Sequence, residues 1–456
     1  MIFSKVKKAK HQQYLEQLAK LPQAATGVVT LYKADSFRKA LLDKIATARQ
    51  HIYITVLYFE HDDAGHDILH ALYQAKIARP TLDIKIMVDW HRAQRGRIGA
   101  KKNITNNITN ADWYYQMALV HPGTDIAIFG IPVNTREALG VLHLKGFIFD
   151  DTVLYTGASI NDVYLQQDKR YRYDRYHILD NAPLAETMKH LIDNSLLSSP
   201  AIQRLDQAHR QSNAKIKSSI KQFRHHLKSC YYQLQNNATN EELSVIPLIG
   251  LGKKNELNKV IVHLMNSTKT NITICTPYFN LPTILTRIIS KLLNDKKHIE
   301  IIIGDKTAND FYSPPENPFT IISALPYLYE INLRRFIYRL QHFVDSQQLT
   351  IRLWKDGNNG YHLKGIWVDN NWHLLTGNNL NPRAWGLDLE NAILIHDPQK
   401  NLLQQKNKEL KCIKRNTHVI KHYQELENIQ RYPIKIRKLI CHLRRISADR
   451  LIRRIL

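Results

Sequence analysis

"HLKGFIFD" occupies residues 143–150 and "HLKGIWVD" residues 362–369. Both read His-x-Lys, then four residues, then Asp. The echo extends outward. "HIYITVLYF" (51–59) is matched by "NITICTPYF" (271–279), with Tyr58-Phe59 against Tyr278-Phe279. "LDIKIMVD" (82–89) is matched by "HIEIIIGD" (298–305), and "TGASIND" (156–162) by "TGNNLNP" (376–382). Four features in one order, at offsets of 216 to 220 positions, describe a duplicated unit.

Apolar periodicity predicts helices over 64–78 and 282–294, between strands at 51–59 and 82–89 and at 271–279 and 298–305. Each half then reads strand–helix–strand, a further strand, and the strand carrying the motif, an α/β architecture with mixed sheets. The expected organisation is a first half over 1–197, a helical connection over 198–243, a second half over 244–400 and a basic helical segment over 401–456.

Alternation along a strand sends His143 and Lys145 to one face and Leu144 to the other; His362 and Lys364 repeat this. A pseudo-twofold axis would bring both pairs to one cleft. Two lysines can hold non-bridging phosphate oxygens, one neutral imidazole can attack phosphorus, and the other can protonate the leaving oxygen. A carboxylate on the far ring nitrogen would set each tautomer. Asp174 ("YRYDRYH") and Glu390 ("LDLENAIL") stand at comparable places after the two motifs and are the candidates. One His-x-Lys alone is ordinarily a surface pair; its duplication inside a duplicated unit makes it a signal.

With 456 residues, 44% of them hydrophobic, the chain has room for two or three cored domains. No apolar run is long enough to cross a bilayer, and no secretory signal is visible at the N-terminus. The four scattered cysteines have no metal or disulfide spacing, so reduced thiols in the cytoplasm are expected. A net charge of +24 calls for an anionic partner: nucleic acid, an anionic membrane surface or a polyphosphate substrate.

HxK(x)4D followed by a Gly/Ser/Asn turn resembles the motif of the phospholipase D superfamily, and two copies in one chain resemble its fused members. The phrases "VDWHRAQRGRIGA" (88–100), "NTREALGVLHLKGF" (134–147), "GDKTANDFY" (304–312), "ALPYLYEINLRRF" (324–336) and "TGNNLNPRAWGLDLENAILIHDP" (376–398) are similar to the bacterial phosphatidylserine synthases of that superfamily. The resemblance covers nearly the whole chain. It implies two α/β/α sandwich halves related by a pseudo-twofold axis, with a basic helical C-terminus. It implies phosphatidyl transfer from CDP-diacylglycerol to L-serine through a phosphatidyl-histidine intermediate. Pseudo-symmetry leaves open which histidine is the nucleophile; His143 is taken for that role and His362 for acid and base. No cofactor and no metal are expected. The alternatives are a phospholipase D or cardiolipin-type synthase with another acceptor, or a nucleic-acid phosphodiesterase; no specific nucleic-acid-binding pattern is present.

The superfamily turn places Asn three residues after Gly. Here Asn161 follows Gly157 by four and Asn381 follows Gly377 by four, with Ser159 and Asn379 between, which leaves open which of the four contacts phosphate. Asp150 and Asp369 complete the motif and are counted with the catalytic set, although in the superfamily this Asp is regarded as chiefly structural. Arg92, Arg95 and Arg97 suit a pyrophosphate, and Arg136 and Arg383 are candidates for phosphate or serine carboxylate. Two segments are candidates for an anionic membrane surface, and cytoplasmic, peripheral association with the inner face of the membrane is expected. One is the aromatic insertion 310–336. The other is the last 26 residues, with nine Lys/Arg against Asp449 alone and with Ile436, Leu439, Ile440, Leu443 and Ile446 at helical spacing.

Overall fold

The computed structural model describes residues 10–95, 108–234 and 238–445. Arg97 and Ile446 lie outside the described residues.

Two mixed sheets dominate, and they share one strand order. The first runs Gln203–Arg204, Ala127–Ile131, Asp83–Asp89, His51–Thr55, Gly146–Phe149, Thr152–Thr156, Tyr176–Asp180, Val28–Leu31. The second runs Thr417–Ile420, Leu349–Trp354, His298–Gly304, Asn271–Thr276, Gly365–Val368, Trp372–Thr376, Leu389–His396, Ser244–Leu251, and adds Leu21–Pro22 at its far edge. In each, three parallel strands flank the antiparallel strand that follows the motif. Parallel strands need covered faces, which explains the Ile- and Val-rich runs. The expected helices are Asp63–Ala78 and Thr283–Asn294, and each buries an apolar stripe on its own sheet, Ile68, Leu69 and Leu72 in one and Leu285, Ile289 and Leu292 in the other.

The segments between and beyond the halves cross between them. Leu21–Pro22 pairs with Ser244–Val245 of the second sheet, and Leu15 lies in the second core. Within 198–243 only Lys217–Leu227 is a described α-helix, anchored by Ile220, Phe223 and Leu227. Gln203–Arg204 is instead an edge strand of the first sheet. Beyond residue 400, the helix Leu403–Lys414 links the halves: Gln405 reaches Val28 and Thr30, and Glu409 holds Arg175 through both carboxylate oxygens.

The two His-x-Lys triplets do not lie in the sheets, as the alternation had suggested. Each is the extended lead-in to its strand, and each bonds to the opposite half. His143 N–H donates to Leu389 O at 2.9 Å and Leu389 N–H to Val141 O at 3.0 Å. Across the pseudo-twofold axis, Gly360–Tyr361 pairs in parallel with Arg172–Tyr173, and His362 N–H donates to Tyr173 O at 2.9 Å. A backbone group facing the interior needs a partner. Here the partner is the segment that carries the other half's carboxylate, Glu390 within Leu389–His396 and Asp174 directly after Arg172–Tyr173.

Candidate active site

These two clasps decide which acid meets which histidine. Leu389 is bonded to the 141–143 lead-in, so Glu390 next to it reaches His143: Nδ1 lies 2.8 Å from Oε2. Tyr173 is bonded to His362, so Asp174 reaches it, with Nδ1 3.3 Å from Oδ2. Each motif histidine is thus paired with an acid of the other half. Lys364 Nζ donates to the same Asp174 oxygen at 3.3 Å and also abuts His362 Nδ1, while Tyr164 Oη stands 2.8 Å from that nitrogen. Lys145 Nζ donates to Ser159 Oγ at 3.0 Å.

Both glycines of the motif turns are required by close approach. A Cβ on Gly157 would sit 2.8 Å from an Asp174 oxygen, and one on Gly377 2.8 Å from Cγ of Lys145. The Asn positions have a local reason for their unusual spacing. Asn161 Oδ1 accepts from Tyr164 N–H and Asn381 Oδ1 from Ala384 N–H, both at 2.9 Å, capping the short helices Asp162–Leu165 and Pro382–Gly386. Ser159 and Asn379 both face the cavity: Ser159 Oγ accepts from Lys145, and the buried Asn379 Oδ1 has no hydrogen-bond partner among the described residues.

Both motif histidines and Lys145 line one cavity of about 590 Å³ between the halves. His143, His362, Lys145, Ser159, Asn161, Asn379, Asn381, Arg92, Arg95 and Arg383 all face it. Lys364, fully buried, reaches the cluster through Asp174 and His362. Burial, reinforced by Lys145 and Lys364, holds His143 well below the usual histidine value. Burial and Lys364 do the same to His362. Burial raises Glu390 as well, with Asp388 adding to it against Lys145 and Lys364. A buried ion pair is thereby disfavoured, and the ring of His143 is neutral at neutral pH. Lys145 is lowered to about 7, by burial first and then by Lys364.

Two expected groups of residues are corrected. Asp150 and Asp369 do not enter the cavity. At the far end of the motif strands, Asp150 accepts from the N–H groups of Arg49, Gln50 and His51 at 2.8 to 3.0 Å. Asp369 accepts likewise from Lys269, Thr270 and Asn271 at 2.8 to 3.0 Å. Both adopt positive φ, 49° and 50°, closing the turn after the strand. Their role is to tie a sheet corner. Arg136 is exposed and outside the cavity wall, whereas Arg383, held by Asp388 at 3.0 Å, lines it. Arg92 and Arg95 share the carboxylate of Glu137, at 2.8 Å each.

Several lining residues had no role in the sequence reading. Arg172 is buried, ion-paired to Asp310 at 2.9 Å and bonded to Tyr58 Oη at 3.1 Å, and Tyr278 Oη lies 3.2 Å from Asp310. This chain of four spans the halves on the His362 side. Tyr58 and Tyr278 were visible as matched positions of the duplication. The pairing of Arg172 with Asp310 had no sequence signal, because it joins residues of opposite halves.

Insertion 310–336 forms one wall, contributing Phe311, Ile322, Leu325 and Tyr329. Its tip stays outside, with Phe319 37% and Ile321 75% exposed. The helix Ile434–Arg445 does not present its apolar stripe outward. Ile436 and Ile440, 4% and 0% exposed, pack on Ala324, Tyr327, Leu328 and Ile331 behind that wall. Arg431, Lys435, Lys438 and Arg445 remain on the outside. Among the described residues no helix is long and apolar enough to cross a membrane.

Two halves of one strand order, closing two His–Lys pairs into a single cavity with exchanged acids, define a phospholipase D-like protein. Residues 261–425 match the family described as "Cardiolipin synthase, PLD-like domain". The chain is 56% identical over 455 residues to the CDP-diacylglycerol–serine O-phosphatidyltransferase of Escherichia coli, covering 100% of both chains. It is 47% identical over 461 residues to the enzyme of the same name from Haemophilus influenzae, again covering 100% of both. The crystal structure of phosphatidylserine synthase from Haemophilus influenzae superposes with a TM-score of 0.95 at 46% identity, covering 99% of this chain and 100% of that one. The chain belongs to the family of CDP-diacylglycerol–serine O-phosphatidyltransferases.

Proposed function

We propose that the protein transfers a phosphatidyl group from CDP-diacylglycerol to L-serine by double displacement, with His143 as nucleophile. The observation that carries this is the asymmetry of the two histidines in one cavity. Glu390 faces Nδ1 of His143 alone, so the tautomer with its proton on Nδ1 leaves the Nε2 lone pair for phosphorus. Nδ1 of His362 shares its surroundings with Tyr164, Lys364 and Asp174, a setting for passing a proton back and forth. The negative charge of the bound diphosphate favours the imidazolium form of His362. In the first step an N–P bond forms at His143 and the P–O bond to CMP breaks, with the proton arriving from that imidazolium. In the second, the serine hydroxyl attacks, its proton returns to His362 and the N–P bond breaks. Two in-line steps give retention at phosphorus. Lys145 and Lys364 hold the charge that grows on the equatorial oxygens, and Arg383, Arg92 and Arg95 face the rest of the diphosphate. No step calls for a metal or a cofactor.

The acyl chains suit the apolar wall of Phe311, Ile322 and Leu325. The protein would then work in the cytoplasm, bound peripherally to the inner face of the membrane through the exposed Phe319 and Ile321 and its basic surface. The deciding experiment mixes the protein with CDP-diacylglycerol labelled in the phosphatidyl phosphate, without serine, and quenches in alkali, which spares a phosphoramidate. Label should remain on the protein and be absent from His143→Ala. Serine-dependent turnover with no label on wild type would refute the intermediate.

A further inference from the structure

The cavity lining contains four carboxylates at its surface, Glu60, Glu137, Asp310 and Asp388, and three are matched to protein cations. Glu137 holds Arg92 and Arg95, Asp310 holds Arg172, and Asp388 holds Arg383. Glu60 has no cation within ion-pair distance among the described residues; its one side-chain bond is from Asn110 Nδ2, at 3.4 Å. A charge facing a partly buried cavity without a counterion is costly. A ligand entering the cavity can supply that counterion.

Its position is set by the backbone. Glu60 N–H donates to Ile160 O at 3.0 Å and Ile160 N–H to Tyr58 O at 3.2 Å, a short parallel bridge. This fixes Glu60 beside the turn carrying Ser159 and Asn161, one residue away on either side of Ile160. The duplication is broken at this point. The matched position after Tyr278-Phe279 is Asn280, whose side-chain oxygen accepts from Asn332 at 3.3 Å. One half therefore offers a negative charge where the other offers an amide.

We propose that Glu60 determines the acceptor by binding its ammonium group, so that the cavity selects an alcohol carrying a primary amine next to a carboxylate. This rests on the transfer reaction proposed above. Of the two substrates only serine bears a cation. Arg95 lies within the electrostatic reach of Glu60 on the same side of the cavity, beside Arg92. An α-amino acid can therefore set its ammonium on Glu60 and its carboxylate towards the two guanidiniums while its hydroxyl points to the phosphorus. An acceptor without the amine leaves Glu60 unpaired, and a site built for a charged partner rejects such an analogue strongly.

The test gives wild-type protein CDP-diacylglycerol in detergent micelles with L-serine or with 3-hydroxypropanoate, which is serine without its ammonium. Wild type should favour serine by about 100-fold or more in kcat/KM. Glu60→Gln should narrow that ratio by about 10- to 100-fold, chiefly through the KM for serine, and Glu60→Asp should restore part of it. A wild type that uses both acceptors equally, or a ratio unchanged in Glu60→Gln, overturns the assignment. The ratio is taken within each preparation, so loss of folded variant cancels, and the wild-type comparison needs no variant. Failure of the underlying reaction shows differently: wild type would then release no CMP in response to any acceptor, and the assignment falls with it.

Discussion

Glu390 meets Nδ1 of His143 at 2.8 Å although 247 residues separate them, and Asp174 meets His362 across the same interface in the opposite direction. Neither half contains a complete histidine–acid pair, so the site exists only when the halves dock. Glu390→Gln keeps the volume but offers Nδ1 a donor as readily as an acceptor, which misplaces the ring proton. Turnover should fall by roughly 10²- to 10⁴-fold, in the range of other His–acid pairs, with an unchanged melting transition. Near-normal turnover in a folded Glu390→Gln protein would show that the contact is only structural.

Asp369 and Asp150 make the opposite prediction. Each carboxylate accepts three backbone N–H groups at a sheet corner and touches nothing in the cavity. Asp369→Ala should lower stability by about 1–2 kcal/mol, the scale of a lost cap, seen as a lower midpoint in urea. The protein that remains folded should turn over at close to the wild-type rate. A folded Asp369→Ala protein without activity would restore the motif Asp to the catalytic set.

How far the site could be read in advance depended on the range of each interaction. The duplication, the helices 64–78 and 282–294, and the two His-x-Lys pairs show as local pattern, and that pattern carries the fold. Asp174 and Glu390 were visible as candidates, but their exchange between halves is a property of docking, set by Leu389 against the 141–143 lead-in and Tyr173 against His362. The triplets read as strand because alternation is the same in a strand and in an extended lead-in. The four-residue spacing of Asn161 and Asn381 has its reason in capping, which a pattern of letters carries only once the short helix is known. Arg172 with Asp310, and the place of Glu60 on the cavity wall, are invisible to any reading that lacks the cavity.

Lys145 supplies a pH prediction. Its pKa is lowered to about 7, by burial and then by the neighbouring Lys364. The ammonium is therefore present below about pH 7 and is lost as pH rises through that value. Only the charged form holds a phosphate oxygen, so kcat/KM for CDP-diacylglycerol should decline above about pH 7. The bound diphosphate favours the charged form, so kcat should hold to higher pH. Lys145→Arg keeps its charge throughout and should lose this alkaline limb even if its rate is low. Identical pH profiles for wild type and Lys145→Arg would remove Lys145 as the group responsible.

The C-terminal helix now divides into two testable faces. Ile436 and Ile440 pack on Ala324, Tyr327 and Ile331, behind the wall that Leu325 and Tyr329 present to the cavity. Truncating a fully buried Ile to Ala removes apolar contact and leaves a void, at about 2–5 kcal/mol. Ile440→Ala should therefore lower the melting temperature and weaken turnover on detergent-solubilised substrate, because the wall loses its support. The outward Lys435 and Lys438 touch no part of that packing. Reversing both to Glu should leave the melting temperature and solubilised turnover close to wild type. Binding to anionic vesicles should weaken, and its fall with added salt should become shallower, as expected when charges within a Debye length, about 8 Å at physiological ionic strength, are removed. The decisive comparison is co-sedimentation with neutral and anionic vesicles at low and high salt. If Ile440→Ala reduces vesicle binding while stability and solubilised turnover stay intact, the apolar face serves lipid and not the wall. If the Lys435 and Lys438 reversals leave vesicle binding unchanged, the basic face is not the membrane contact.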